Sequence, residues 1–435
     1  MERGTPAPPI QRLVAEASLL RERAGNHAYA FRIPAHLTDF QRLDCVYRSF
    51  GRVYEILRAA IDRDGEGDWF CRVVGDDVIR PVETHRLGPL TDTQTVRQIG
   101  ELAQRPMRPQ EPPHYDVALF DCDGEFVLMT RGHHIVLDGA SRLTMMNQLL
   151  AGEPLPVERA PEDAMDTFAR LNEWEATLLQ ASYARQTLAR AEGALSRHFG
   201  KQVRPYSPAT PYPSSRLGQV LALSRRDSER LLQVCQRLNL SLFGLCLSCF
   251  SVALGEVSHQ ASHLFCIPHS VRYRLRMPSR IGNFMDYLFV EVSADPGNAS
   301  GPNEASAAIL AAARNFLPLR TVTEAVTGRG KAALNPFLRI VAADLTGGDD
   351  MPSALLAMPG DAEAADPDRL ETIPIPSETV PLEMQDLGIL LCRRKGEVRW
   401  RTGGRSDVYS AEMLDRLAAR VQSQLQSFLS LQPAE

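Results

Sequence analysis

Four things are absent or scarce in this sequence of 435 residues, and each absence removes a class of function. The opening Met1-Glu2-Arg3-Gly4 has no apolar h-region of an export signal, and the longest apolar run, Ser241 to Leu254, is too short to span a bilayer. A cytoplasmic chain with no membrane partner is expected. Charge of one sign is not in excess: the net charge is -5, with acidic and basic residues mixed along the chain, so the basic footprint of a nucleic-acid binder is missing. The eight cysteines (Cys45, Cys71, Cys122, Cys235, Cys246, Cys249, Cys266, Cys392) lack the spacing of a disulfide framework and read as reduced thiols. Cys246 and Cys249 have CxxC spacing, but Leu242 to Phe250 is apolar almost all round, which favours buried helix thiols over metal or redox work. No Walker-type loop or Rossmann fingerprint stands in the chain, since Gly328-Arg329-Gly330-Lys331 is too short and lacks the flanking pattern.

What is present is an ordinary globular composition, 44% hydrophobic and 23% charged, at a length that favours two halves, placed at 1–175 and 176–435. The first half alternates helices and strands. Helices are expected near Ile10 to Arg23 and from Asp39, where Phe40, Leu43, Val46, Phe50, Val53, Ile56 and Leu57 recur at three- and four-residue steps. Strands are expected at His27 to Ile33 and Asp68 to Val74, with a hairpin of Asp116 to Phe120 and Glu125 to Thr130 through Asp121-Cys122-Asp123-Gly124. A helix follows from Ala140 with Leu143, Met146, Leu149 and Leu150 inward, then a long helical stretch from Pro161 to Phe199. Pro205, Pro208, Pro211 and Pro213 mark the expected hinge.

The second half repeats the mixture. It has a strand at Gly218 to Leu223, helices from Arg226 and Ser241, strands near Leu264 to Pro268 and Phe284 to Val292, and a helix at Asn303 to Phe316. Strands at Leu338 to Ala343, Gly388 to Cys392 and Val398 to Arg401, an extended loop at Asp349 to Glu378, and a closing helix at Ala411 to Leu429 complete it. The fold class is α/β or α+β, with two sandwich-like halves.

The chemistry centres on His133-His134-Ile135-Val136-Leu137-Asp138-Gly139, where a strand ends and a helix begins. A neutral imidazole can take a proton from an attacking amine or hydroxyl, and His134 is the candidate base. Asp138 can fix an imidazole tautomer, or it can organise the turn by pairing with a distant arginine. Two other readings stand beside this one: histidines that only satisfy backbone groups at a strand end, and a zinc site using His133, His134 and Asp138. The zinc reading is weakened because neighbouring side chains in an extended segment point to opposite faces, so no metal is expected.

These residues resemble the condensation domains of nonribosomal peptide synthetases, whose signature is HHxxxDG. Asn26 and Tyr29-Ala30-Phe31-Arg32 resemble that family's opening strand, and Leu43-Asp44 with Glu55-Ile56-Leu57-Arg58 resembles its LD...RHExLR stretch, with Val53-Tyr54 in place of Arg-His. Asp166-Thr167-Phe168-Ala169 is similar to YxDFA, Ile281-Gly282-Asn283-Phe284 to (V/I)GxF, and Asn335-Pro336-Phe337 to RNPLF. The resemblance implies two halves, each like chloramphenicol acetyltransferase, set as a V around a central tunnel. It implies that His134 is catalytic, that His133 and Asp138 are structural, and that Asp138 pairs with Arg272. Gly139 is implied as the small residue beside the base, and Asn335, Gly282 and Asn283 as residues on the substrate side. The implied donor is an acyl group on the 4'-phosphopantetheine arm of an acyl or peptidyl carrier protein, with no bound cofactor.

The sequence departs from the family's pattern at several places. No Ser-x-Ala-Gln-x-Arg opening stands near Ser18, no Trp lies within Leu188 to Leu195, Leu288-Phe289-Val290-Glu291 ends acidic, and no His precedes Leu317-Pro318-Leu319. The resemblance takes up nearly the whole chain and leaves no adenylation or carrier segment. The expectation is therefore a free-standing, monomeric enzyme of natural-product or antibiotic biosynthesis, joining a carrier-bound acyl group to a small soluble amine or alcohol. The alternatives are a coenzyme A-dependent acyltransferase and a non-catalytic module that recruits a carrier protein. An epimerisation domain is disfavoured, as no second acid/base residue is placed for proton abstraction.

Overall fold

In the computed structural model the described residues are 4–20, 25–156, 159–199, 215–327, 340–345, 371–372, 387–394, 396–405 and 409–430. In chain order they form β1 (Thr5–Pro6), α1 (Pro9–Leu20), β2 (Asn26–Ile33), α2 (Phe40–Val53), β3 (Ala59–Arg63), β4 (Trp69–Val73), β5 (Glu83–Leu87), α3 (Thr93–Ala103), β6 (Tyr115–Cys122), β7 (Glu125–His133), α4 (Gly139–Ala151), α5 (Ala164–Gln180) and α6 (Ala184–Phe199). There follow β8 (Ser215–Ala222), α7 (Arg225–Arg237), α8 (Leu242–Ser258), β9 (Ser262–Ser270), β10 (Met285–Ser293), α9 (Gly301–Arg314), α10 (Leu319–Thr327), β11 (Ile340–Leu345), β12 (Glu371–Thr372), β13 (Leu387–Arg394), β14 (Glu397–Arg405) and α11 (Ala411–Leu429). The fold is mixed α/β. Its described residues gather into two units, the first holding residues up to Thr177 together with Ser270–Met285 and β12. Ser270–Met285 thus lies beyond residue 175 in sequence but belongs to the first unit in space.

In the first unit a five-stranded sheet runs β12-β2-β7-β6-β5 beside a three-stranded one, β1-β4-β3. The β6–β7 hairpin turns on Asp123 and Gly124, both at positive φ (59° and 89°), the pair a two-residue type I′ turn requires to match the twist of its strands. The hairpin sets Tyr115 opposite Gly132, and β2 pairs antiparallel with β7 so that Asn26 faces His133 and His27 faces Gly132. Alternation then sorts the faces. Ala30, Ala118, Phe120, Val127 and Met129 pack with Ile99 of α3 in one core. On the other face Tyr115 meets Tyr47 and Phe50 of α2, at ring distances of 6.2 and 6.5 Å. Helix α2 starts on Asp39, whose side chain accepts from Arg42 N, and ends at Val53; Ile56 and Leu57 stay buried in a 3-10 turn instead.

The expected helix from Pro161 to Phe199 is two helices. The chain tightens into i→i+3 bonds (Ala181 N to Leu178 O, 3.1 Å; Ala184 N to Ala181 O, 3.0 Å), which end α5 and start α6. The proline cluster expected as a hinge lies outside the described residues, as does most of the expected loop from 349 to 378. Glu371–Thr372 of that stretch pairs antiparallel with β2.

The second unit carries a six-stranded sheet, β10-β9-β11-β13-β14-β8, with parallel pairing of β9, β11 and β13. Helix α8 is buried from Phe243 to Leu254, including Cys246 and Cys249, and burial pushes the Cys249 thiol up to about 12. Both thiols therefore pack as small apolar groups. No single described helix is long and apolar enough to cross a membrane.

Candidate active site

Strand β7 delivers the two histidines, and their backbones are tied differently. His133 closes the strand, its N–H donating to His114 O at 3.1 Å. His134 steps out of the ladder, donating N–H to Gly25 O at 2.7 Å, while its own carbonyl accepts from the Asn283 side-chain amide. Gly25 has φ +82°, and a Cβ there would lie 2.9 Å from the His133 ring, so this acceptor position needs glycine.

The imidazoles are in opposite tautomers, because each is read by a group of fixed polarity. His133, fully buried, accepts on Nδ1 from Ile135 N at 2.8 Å, so its proton sits on Nε2, 3.4 Å from Ser18 Oγ. His134 has Nδ1 2.9 Å from Leu137 O. A carbonyl only accepts, so Nδ1 carries the proton and Nε2 keeps a lone pair. Burial, followed by the Arg142 cation, pulls the His134 pKa down to about 4, which keeps the ring neutral near pH 7. One histidine holds the loop, and the other presents a base.

Replacing His133 with Ala should lower melting temperature and rate together. It leaves Ile135 N–H buried without its acceptor, a loss of about 1–3 kcal/mol. Unchanged melting with failed chemistry would reverse the two roles.

Asp138 does not orient an imidazole; the Leu137 carbonyl does that. Its carboxylate caps α4 by accepting Ser141 N (2.9 Å), takes Phe284 N (3.1 Å), and receives Arg272 Nε (3.1 Å) and Nη2 (2.6 Å). The Asp138 and Arg272 side chains are 6% and 5% exposed, so this is the expected buried pair. Arg272 lies beyond residue 175 in sequence, and both partners belong to the first unit. The pair closes a loop within one unit. Gly139 is the first residue of α4 and half-buried. The Gly282 carbonyl accepts from Asp138 N, Ser141 Oγ and Arg272 Nη2 at 2.7–3.1 Å, and Asn283 holds His134. Both residues, expected on the substrate side, bond to the motif itself. Asn335 lies outside the described residues.

Four residues of this site escaped the sequence reading: Gly25, His27, Ser141 and Arg142. Arg142 had a signal. It shares the three- and four-residue stripe of Met145, Met146 and Leu149, and the structure buries it there, while Leu143 and Leu150, expected to face inward, are only half-buried. Among the described residues, the acidic and histidine groups whose ligand atoms converge are Asp64, Glu66 and Asp68, all exposed; the motif residues are not among them.

Residues 1–315 match the family model described as Condensation domain. Among solved structures the chain is similar to a four-domain nonribosomal peptide synthetase bound to AMP and glycine, with TM-score 0.73 and 16% identity over 99% of this chain and 33% of that one. It is similar to the X-domain from teicoplanin biosynthesis, with TM-score 0.74 and 18% identity over 99% and 96% of the two chains. It is also similar to the first condensation domain of the calcium-dependent antibiotic synthetase in complex with a substrate analogue, with TM-score 0.69 and 17% identity over 100% and 98%. The chain spans about a third of the four-domain synthetase. At these identities the likeness is one of fold.

Proposed function

Because the chain belongs to the condensation-domain family, we propose that it joins an acyl group, carried as a thioester on a carrier protein's phosphopantetheine arm, to a small soluble amine, forming an amide. An alcohol acceptor would give an ester by the same steps. The observation that carries this reading is the His134 ring, neutral, with Nδ1–H spent on Leu137 O and Nε2 left as a base.

As the nucleophile attacks the thioester carbonyl, Nε2 takes its proton. The tetrahedral adduct collapses, the C–S bond breaks, and the proton returns from His134 to the leaving sulfur. His133, Asp138, Arg272 and Asn283 hold the loop that aims this ring. The test loads one acyl group on a carrier protein and, separately, on coenzyme A, and offers each to a panel of amines and alcohols. Amide from the carrier-bound donor is expected. Product from coenzyme A alone would move the chain to the coenzyme A-dependent acyltransferases, and no product with either would leave a recruitment module.

The pH profile gives a second test. A base works deprotonated, so kcat/KM should hold level below neutrality and fall only as pH drops through about 4. A limb near the ordinary 6.5 would count against a buried base. Burial also lowers His27 and His114. The unfolded chain therefore binds more protons below pH 6.5, and stability declines from there toward about 4. Rates are best read in brief assays from protein stored at neutral pH.

A further inference from the structure

Helix α4 places a cation for which the described residues supply no ion-pairing anion. Arg142 is 8% exposed, and its guanidinium lies 4.0 Å from the centre of the Tyr29 ring. Among the described residues no carboxylate forms an ion pair with it. Asp138, the acid whose charge reaches it, already receives two hydrogen bonds from Arg272 and two from backbone amides. A ring face alone repays little of the cost of taking a guanidinium out of water.

A second observation points to the same place. His27, on the sheet face beneath, has its ring 4.6 Å from that of His134, and both of its ring nitrogens are buried with no partner at hydrogen-bonding geometry. Burial and then the Arg142 charge hold His27 well below its ordinary value, with the Gly25 backbone acting the other way, so it is neutral. The surroundings of the base thus hold a fixed cation beside a neutral imidazole, and among the described residues no free acid answers that cation. Buried polar groups are rarely left unpaired, and where they are, a ligand is a standing explanation.

We propose that Arg142 binds a carboxylate of the substrate that reaches His134, with His27 supporting it. This rests on the condensation reading and narrows the substrate class to a carboxylate-bearing one. The planar guanidinium suits that group, since it can donate two parallel N–H bonds to it. A carboxylate on the acceptor would make it a free amino acid, and one on the donor would make it a dicarboxylic monothioester. The chemistry at Arg142 is the same in both cases.

The test has two arms on the purified full chain. One compares amino acids with their amides as acceptors; the other compares succinyl with butyryl thioester as donor. In one arm the carboxylate substrate should be favoured by about 10–100-fold in kcat/KM, as charge-assisted hydrogen bonds generally give. The Arg142→Met variant should lose that preference, through a raised KM for the charged substrate, so that charged and neutral substrates are used alike. It should also melt at or above the parent temperature, because it removes an unpaired buried charge. Arg142→Lys should restore part of the preference. Equal use of charged and neutral substrates in both arms by the parent chain would overturn the proposal. So would an Arg142→Met variant that slows both alike, or one that melts lower with its selectivity intact. Should no thioester be consumed at all, the condensation reading fails instead, and calorimetric titration with succinate and with succinamide still decides the site. Succinate heat lost in Arg142→Met supports it, and no difference between the two probes overturns it.

Discussion

Replacing His134 with alanine is expected to lower kcat by ~10²-fold or more with little change in melting temperature. The side chain removed carries the Nε2 lone pair, and no other imidazole replaces it. His133 has Nδ1 committed to Ile135 N, and the His27 ring packs 4.6 Å from the place His134 would vacate without replacing it. The loop should survive. What pins residue 134 is its backbone, N–H to Gly25 and C=O from Asn283, and an alanine keeps both bonds. The lost Nδ1–H bond leaves the Leu137 carbonyl without its imidazole donor, at a cost of about 1 kcal/mol. Stopped-flow or product assays at saturating donor, beside a thermal melt, check both halves of the expectation. Near-parental kcat would sink the general-base role, whereas a large drop in melting temperature would mean the ring supports the loop after all.

The largest stability effect should come from Asp138→Ala, at roughly 3–5 kcal/mol. The change leaves the Arg272 guanidinium buried without its counter-charge and strips Ser141 N and Phe284 N of their acceptor. It also removes the N-cap of α4, itself a matter of ~1 kcal/mol. Against a total stability of about 5–15 kcal/mol, such a loss should yield an insoluble or partly unfolded protein.

The partner variant should be milder. In Arg272→Met the Asp138 carboxylate keeps two backbone donors, while the methionine can still lie on Phe284, over which the guanidinium now sits at 4.5 Å. Combining Asp138→Ala with Arg272→Met should recover part of the loss, because no buried charge is left over. Denaturant midpoints measure all three. A soluble Asp138→Ala protein melting normally would show that the pair contributes nothing net.

Much of the local structure was legible because it depends on residues close together in the chain. Alternation from Asp116 to Thr130 with Asp123-Gly124 between gave the hairpin, and apolar steps gave α2 and α11 within a few residues. The single helix expected over 161–199 failed where turn bonds near Ala181 interrupt it, and the pattern of apolar residues carries no mark of that break. The inward face of α4 was misjudged for another reason. A periodic reading assigns the buried face to the apolar side chains, which moved it toward Leu143 and away from Arg142. A cation is buried only where the surrounding fold makes it useful or answers it, and that cannot be seen in one helix.

For the candidate site, the sequence by itself was enough to locate the two histidines at a strand end, to single out His134 as the candidate base, and to place Asp138 at the head of a helix. These are relations of one to four residues, which backbone geometry enforces wherever the segment sits. Only the tertiary structure decided which histidine holds which tautomer, that Leu137 rather than Asp138 orients the base, and that Arg142 and His27 flank it. It also decided that Arg272 returns to the first unit, across 134 positions of sequence. Tautomer, pairing and charge depend on which groups meet across the fold, and contacts between residues so far apart arise from packing, which no short stretch of chain encodes.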